Sequence, residues 1–399
     1  MKKKTNIDRY YILAIIFFLI VLPIFISYNS INNFSFTELS KVDTLKFYKF
    51  TLPISFFFIV PFIFLGLVNF YRDFEISSLL VLILLSFSST FFGKDFEHSL
   101  LLLKISCSIL TLLGFEIFFK KKLLSIEKME KFQVIKKINF NFTFIFVIIF
   151  FITMISPLYL DNTYNWLVNE IVIYSYAQYY SLIFLLLLGL LIANKNKYLF
   201  FLIYFLSFYQ VKPTTNDTFF FSLILIGIYY IINLLLSYQK KNIIYLTKIF
   251  IIFTFFLIFL YPIFVFLFYQ ELIKLDIPVN ISGRFTNIFY FFNNITFLEF
   301  LTPVRIYSEI SSRYYHNEFI VITSSLGICG AFLFYFVLLK RILFINKYYP
   351  QISFIISLYC LLSGITLTTN LHPYTFIISS FFLSYYYVLS KFQSQKTCK

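Results

Sequence analysis

The stretch IIYLTKIFIIFTFFLIFLYPIFVFLF (residues 243–268) contains one charged side chain, Lys248. An α-helix rises about 1.5 Å per residue, and about 20 mainly apolar residues cross the ~30 Å hydrocarbon core of a bilayer. This stretch is long enough and apolar enough to do so. It therefore predicts a membrane protein, and the sequence on either side of it indicates how many such helices the chain has.

The 399-residue chain as a whole has the same character, because 60% of its residues are hydrophobic and 13% are charged. A soluble domain is about half apolar and about a quarter charged, and surface-to-volume scaling does not let a soluble chain of this length bury so much apolar surface. We predict an all-α polytopic membrane protein with about twelve spanning helices, at about 10–28, 50–68, 76–92, 99–119, 140–158, 171–193, 198–210, 219–238, 243–268, 318–339, 352–367 and 374–389.

Basic residues indicate the orientation of these helices. With the N-terminus in the cytoplasm, the predicted cytoplasmic segments hold 23 of the 33 Lys and Arg residues but five of the 18 Asp and Glu residues. This asymmetry is typical of the positive-inside rule, and it places both termini in the cytoplasm. Topology therefore explains the net charge of +15, and no nucleic-acid partner is expected.

The chain is predicted to be a single integral membrane domain, 1–399, with one large outer loop. Residues 269–317 form this loop between the ninth and tenth predicted spans. Long irregular segments are usually functional or disordered, and this one is too aromatic to be disordered. Its middle, residues 285–301, suits a helix that lies in the outer interface of the membrane. The alternative is a lid with no role beyond packing.

The loop also holds the three arginines that are predicted on the outer side, Arg284, Arg305 and Arg313. A guanidinium group can bind two phosphate oxygens at once through two parallel N–H donors. The N-terminus of the helix that follows His316 and Asn317 also favours an anion. These groups together predict a site for a diphosphate joined to a lipid. The alternatives are solvated arginines and an ordinary surface histidine.

Other polar residues carry weaker signals. His98, His316 and His372 all fall in outer loops, but they show neither HxxxH spacing nor a carboxylate partner, so no metal site and no cofactor are expected. The four cysteines form no CxxC motif. Lys104 and Glu116 lie near the ends of the fourth predicted span, where snorkelling to the interface is the simpler explanation.

The segment HNEFIVITSSLGICG (316–330) resembles the O-antigen ligase and O-antigen polymerase superfamily of bacterial envelope proteins. The ligase motif of that family is His, then Asn, Ser or Gln, nine residues, Gly, two residues, and Gly, Thr or Tyr. His316, Asn317, Gly327 and Gly330 fit it at every specified position. The two glycines, one turn apart, also predict close approach of a neighbouring helix. SGR (282–284) resembles the arginine-bearing segment of the family's large loop.

One position departs from the family pattern. The family has a Ser-Arg pair in the outer loop after the seventh span, where this chain reads VKPTTND (211–217). Lys212 supplies a positive charge there, but as a point charge without the guanidinium fork. The second phosphate contact that the resemblance implies therefore rests on a different residue type.

The resemblance implies a metal-independent glycosyltransferase of the bacterial inner membrane, with its active site facing the periplasm. The donor would be a glycan on undecaprenyl diphosphate, and the acceptor either lipid A-core (a ligase) or a second lipid-linked repeat unit (a polymerase). His316 would be the general base, and Asn317 would orient it or the acceptor. Arg284, Arg305, Arg313 and Lys212 would hold the diphosphate. The complete motif favours the ligase.

Two other classes are alternatives. A polysaccharide flippase or transporter also has about twelve spans and basic character, but it lacks a large outer loop with this helix start and often carries charges in its central cavity. A glycosyltransferase that uses polyprenyl-phosphate sugars usually has paired carboxylates in its first outer loop. Residues 29–49 offer Glu38 and Asp43 without such a pair.

Overall fold

The computed structural model describes residues 59–93, 96–124, 143–144, 146–147, 174–214, 217–236, 238–274, 279–302, 317–366 and 373–397. Over these ranges the secondary structure is almost entirely helical, and they contain no β-strand. The helices are α1 (59–69), α2 (Phe74–Gly93), α3 (Phe96–Leu124), α4 (Tyr174–Ala193), α5 (Lys197–Thr214), α6 (Asp217–Leu235), α7 (Lys240–Leu267), α8 (Tyr269–Lys274), α9 (Val279–Asn294), α10 (Phe297–Leu301), α11 (Glu318–Asn346), α12 (Pro350–Thr366) and α13 (Pro373–Thr397).

The predicted all-α class is confirmed over the described residues, and ten of the predicted spans overlap one of these helices. The predicted spans at 10–28 and 140–158 lie outside the described residues, apart from four helical positions in the second. Within the described part of the chain, length and composition suit three helical stretches for crossing a membrane, Leu101–Lys121, Lys240–Leu267 and Glu318–Asn346. The helix at the seventh predicted span, 198–210, is longer than the apolar run, because α5 continues through Lys212 to Thr214.

Several turns between helices gather at one end of the bundle, which we call the Arg341 end. The side-chain amide of Asn346 donates to the carbonyl of Ile244 (2.8 Å), and the amide of Gln351 donates to Asn233 (3.3 Å). These bonds bring together the starts of α7 and α12 and the end of α6. α12 packs against α4, α7 and α11, and α13 packs along α3.

A break at Gly327 divides α11. Its φ of 69° and ψ of 175° are non-helical. Along a continuous helix Glu318 and Tyr335 would be about 26 Å apart, yet the Tyr335 hydroxyl donates to Oε1 of Glu318 over 3.2 Å. The ring of Phe319 also lies 6.4 Å from that of Tyr335. α11 is therefore a helical hairpin with a short arm, 318–326, and a long arm, 328–346.

The hairpin differs from the single spanning helix that the sequence predicts at 318–339. The long arm rises about 28 Å and is long enough to cross a bilayer, whereas the short arm rises about 13 Å and is not. The chain can reverse at Gly327 because glycine adopts a positive φ without a Cβ clash. The short arm begins inside the bundle, since Asn317 and Glu318 are both buried.

A buried ion cluster joins three helices at the Arg341 end. The Arg341 side chain, 1% exposed, bonds to the Glu116 carboxylate on α3 and, over 2.8 Å, to Asp73 at the start of α2. Burial opposes ionisation of Asp73, but Arg341 and the backbone N–H of Ile76 outweigh it and hold the pKa of Asp73 below its ordinary value. The prediction that Glu116 snorkels is wrong, because this carboxylate is buried against Arg341.

Candidate functional site

The short arm of the hairpin starts at a capped and buried helix end. The side-chain oxygen of Asn317 accepts from the backbone N–H of Ile320 (2.9 Å), and its side-chain nitrogen donates to the carbonyl of Ile365 on α12 (3.2 Å). Asn317 is 3% exposed. The residue predicted to orient the catalytic base is thus an N-cap, and it fixes the chain directly after His316 to α12.

A buried carboxylate follows this cap. Glu318 is fully buried and accepts the hydrogen bond of Tyr335 from the long arm. The ring of Phe259 on α7 lies 5.1 Å from Phe319 and 5.8 Å from Tyr335, so aromatic side chains enclose the pair. Glu318 was not among the predicted site residues, although an acidic residue at the head of an apolar run in a membrane protein is a signal that could have identified it.

The tip of the hairpin touches the large loop. A Cβ at Gly327 would lie 2.6 Å from the backbone oxygen of Thr302, the residue that follows α10. Gly330 faces back along its own hairpin, and a Cβ there would meet the side chain of Leu326. The glycine spacing predicts close approach of a neighbouring helix, but the backbone that approaches Gly327 belongs to Thr302, just after α10, and Gly330 contacts its own hairpin.

Arg284 lies on α9, which packs on the last turns of α7 at the end of the bundle opposite the Arg341 end. Tyr269 stacks on Phe289 with ring centroids 4.0 Å apart, and its hydroxyl lies 3.2 Å from the Thr286 hydroxyl. Arg284 is half-buried and lies near Tyr261 of α7. The predicted interfacial helix at 285–301 exists as two helices, α9 and α10, separated at Ile295 and Thr296.

Several predicted site residues are beyond what the structure describes. His316, Arg305 and Arg313 lie in residues 303–316, which are outside the described residues. His372 is also outside them. Lys212 and His98 belong to the ends of α5 and α3, where the backbone is described but these side chains are not. Among the described residues no cluster of three His, Cys, Asp or Glu side chains suits a metal ion.

The geometry places two predicted elements at one end of the bundle, the α9 helix with Arg284 and the hairpin tip at Gly327. The cap at Asn317, which holds the chain next to His316, lies at the other end of the short arm, about 13 Å from the tip. A cation at the loop and a fixed, buried helix start beneath it suit an anionic ligand that enters from that end. The carboxylate of Glu318 makes the helix N-terminus itself a poor anion site, because like charges repel there. Any phosphate would therefore be held by the loop arginines.

Comparisons of this chain with protein-family models, curated proteins and solved structures find no match.

Proposed function

We propose that this chain is a glycosyltransferase of the bacterial inner membrane that moves a glycan from undecaprenyl diphosphate to lipid A-core at the periplasmic face. One observation carries the proposal: residues 317–330, which contain all of the ligase-like motif except His316, form the cap, the short arm and the turn of a helical hairpin whose tip lies at the bundle end that also holds Arg284. Three specified positions of the motif are described by the structure. Asn317 is the N-cap, Gly327 is the point at which the chain reverses, and Gly330 packs against Leu326 next to that reversal.

The leaving group in this reaction is a diphosphate, and negative charge grows on it as the glycosidic bond breaks. Fixed cationic donors stabilise that charge most in the transition state. Arg284, Arg305 and Arg313 supply guanidinium groups from the large loop, and Lys212 supplies a point charge from the end of α5. Because arginines meet this need, the proposed reaction requires no metal.

The acceptor hydroxyl is a poor nucleophile until its proton is removed. A neutral imidazole can take that proton, and His316 is the residue proposed for this step. Asn317 acts through it: its two hydrogen bonds, to Ile320 and Ile365, anchor the chain immediately after His316. Asn317 is therefore a positioning residue in this scheme.

Two alternatives remain with the same architecture. A polymerase would transfer the glycan to a second lipid-linked repeat unit with the same groups. A polysaccharide transporter is favoured by one observation, the fully buried Glu318, because ionisable residues inside a membrane protein often serve a transport pathway. The hairpin and the loop cation favour transfer over transport.

The surface polysaccharide of a deletion strain distinguishes the three functions. The ligase predicts lipid A-core without attached polymer, while lipid-linked polymer is retained. A single repeat on lipid A-core would identify a polymerase. Accumulation of lipid-linked single repeats on the cytoplasmic side would identify a transporter and overturn the proposal.

A further inference from the structure

We infer that the Arg341 end carries a binding site for the headgroup phosphate of an acidic phospholipid, formed by Lys347 and Lys391. Lys347 is the C-cap residue of α11, and Lys391 lies in the last turns of α13. The site goes beyond the proposed transfer, because it lies at the end of the bundle opposite Arg284 and does not depend on a glycan.

Two aromatic rings in contact hold these lysines at one place between two helices. The rings of Phe344 on α11 and Tyr387 on α13 meet edge to face, with centroids 5.5 Å apart. Nζ of Lys391 lies 4.2 Å from the Tyr387 centroid, and Nζ of Lys347 lies 5.5 Å from the Phe344 centroid. The negative face of a ring attracts an ammonium group but leaves its N–H donors available. Both ammonium groups are therefore oriented beside one contact and can donate to an anion.

The described carboxylates at this end are paired with other cations. Arg341 binds Asp73 and Glu116, and Lys340 binds Glu75. These three carboxylates and two cations leave one net negative charge in the ion cluster. The two lysines of the proposed site are exposed, and neither forms an ion pair with a described carboxylate.

A third helix adds positive charge beside α13. α3 packs along α13, with the ring of Phe119 5.3 Å from that of Tyr385, and the exposed Lys120 and Lys121 follow directly. With the two lysines of the proposed site, four exposed cations outweigh the single negative charge of the ion cluster. The excess of positive charge where α3, α11 and α13 end suits an anionic ligand.

The depth of the site favours a phospholipid over a soluble anion. Lys347 ends the long arm, which is long enough to cross a bilayer, and Lys391 lies two residues beyond the predicted span 374–389. Both therefore lie at the level of lipid headgroups, and the half-buried ring of Phe344 offers apolar surface next to them. Basic pockets between spanning helices bind the headgroups of acidic lipids in this way.

Topology alone accounts for lysines at this end but not for their grouping over touching rings. Lys195 and Lys197 lie at the same end, in the turn after α4, because a Cβ at Gly189 near the end of α4 would meet Ile352 at the start of α12. Both lysines are exposed, and neither lies over an aromatic ring of the described residues. They provide a matched pair of charges outside the proposed site.

The test measures lipid binding to the purified chain in detergent by native mass spectrometry. Phosphatidylglycerol and phosphatidylcholine with the same acyl chains are compared at equal concentrations. The site variant combines Lys347→Gln with Lys391→Gln, and the control variant combines Lys195→Gln with Lys197→Gln. Each removes two exposed positive charges from the same end of the bundle, and melting temperatures without added lipid check that both variants fold.

We expect the wild type and the control variant to bind phosphatidylglycerol more tightly than phosphatidylcholine. The site variant should bind phosphatidylglycerol about tenfold or more weakly than the wild type, because it lacks both ammonium groups. Equal weakening in the two variants would show a diffuse surface charge and overturn the inference. Equal binding of the two lipids by the wild type, or displacement of phosphatidylglycerol by inorganic phosphate, would overturn it as well.

Discussion

Gly327 is the residue on which the hairpin depends. Its φ of 69° with ψ of 175° lies in a region that is essentially restricted to glycine, and backbone atoms of Thr302 occupy the space that a Cβ would need. Backbone strain of this kind costs on the order of 1–3 kcal/mol, and the clash adds to it because a backbone atom cannot rotate away. Backbone conformation and the contact with Thr302 are therefore enough to require glycine at position 327, without any contact to substrate.

We predict that Gly327→Ala lowers both the thermal stability of the detergent-solubilised protein and its transfer activity. Gly283→Ala is the matched control for stability, because nothing lies within 4 Å of the Cβ that it would add. Differential scanning fluorimetry of the two variants measures the difference. Equal melting temperatures for Gly327→Ala and the wild type would show that the reversal at this position is unstrained.

Arg284 provides a second test at the residue scale. If this guanidinium holds the diphosphate in two parallel hydrogen bonds, Arg284→Ala should weaken donor binding and slow transfer, and Arg284→Lys should recover part of both because the charge remains without the fork. Steady-state kinetics separate the effect on KM from that on kcat. Full activity of Arg284→Ala at normal abundance would reduce Arg284 to a surface charge on α9.

Single residues were predicted with uneven success, for physical reasons. The motif spacing identified Asn317 and Gly327 as special positions, but not that one is an N-cap and the other a chain reversal. Glu116 was expected to snorkel because it lies near a helix end, and its partner Arg341 is 225 positions away in the sequence. Glu318 was missed because its partner Tyr335 becomes close only after the chain folds back.

At the scale of helices, the apolar runs predict where most described helices lie in the sequence, but they do not predict where a helix breaks or reverses direction. In lipid both faces of a helix can be apolar, so periodicity carries little information about which face meets protein. Nothing in the hydropathy of 318–346 distinguishes a hairpin from one long span, and the glycine at 327 was assigned to helix packing. α5 extends through Lys212 to Thr214, beyond the apolar run 198–210 from which the span was predicted.

The ion cluster of Asp73, Glu116 and Arg341 ties α2, α3 and the long arm of α11 together. Removing one partner of a buried ion pair leaves an uncompensated charge and costs about 3–5 kcal/mol, whereas replacing the whole set by neutral groups is often tolerated. We predict that Arg341→Met strongly lowers the thermal stability, and that Arg341→Met combined with Asp73→Asn and Glu116→Gln restores much of it.

The melting temperatures of the single and triple variants in detergent measure this coupling, with Lys274→Met on the exposed helix α8 as a control. If the triple variant is no more stable than Arg341→Met, the carboxylates are not energetically coupled to the arginine and the cluster is incidental.

For the whole molecule, the charge asymmetry predicts which end of the bundle faces the periplasm. With the native cysteines replaced, a cysteine at Asn293, an exposed position on α9, should react with an impermeant thiol reagent in intact spheroplasts. A cysteine at Ser125, in the predicted cytoplasmic segment 120–137 and outside the described residues, should react only after lysis. The reverse pattern would invert the predicted topology.

The most direct test of the proposed function is transfer by the purified chain in proteoliposomes that contain undecaprenyl-diphosphate-linked glycan and lipid A-core, with EDTA present. We predict that the wild type attaches the glycan to lipid A-core and releases undecaprenyl diphosphate, and that His316→Ala at equal abundance is slower by about 10²–10⁴-fold. Absence of release by the wild type, or equal rates for His316→Ala and the wild type, would contradict it.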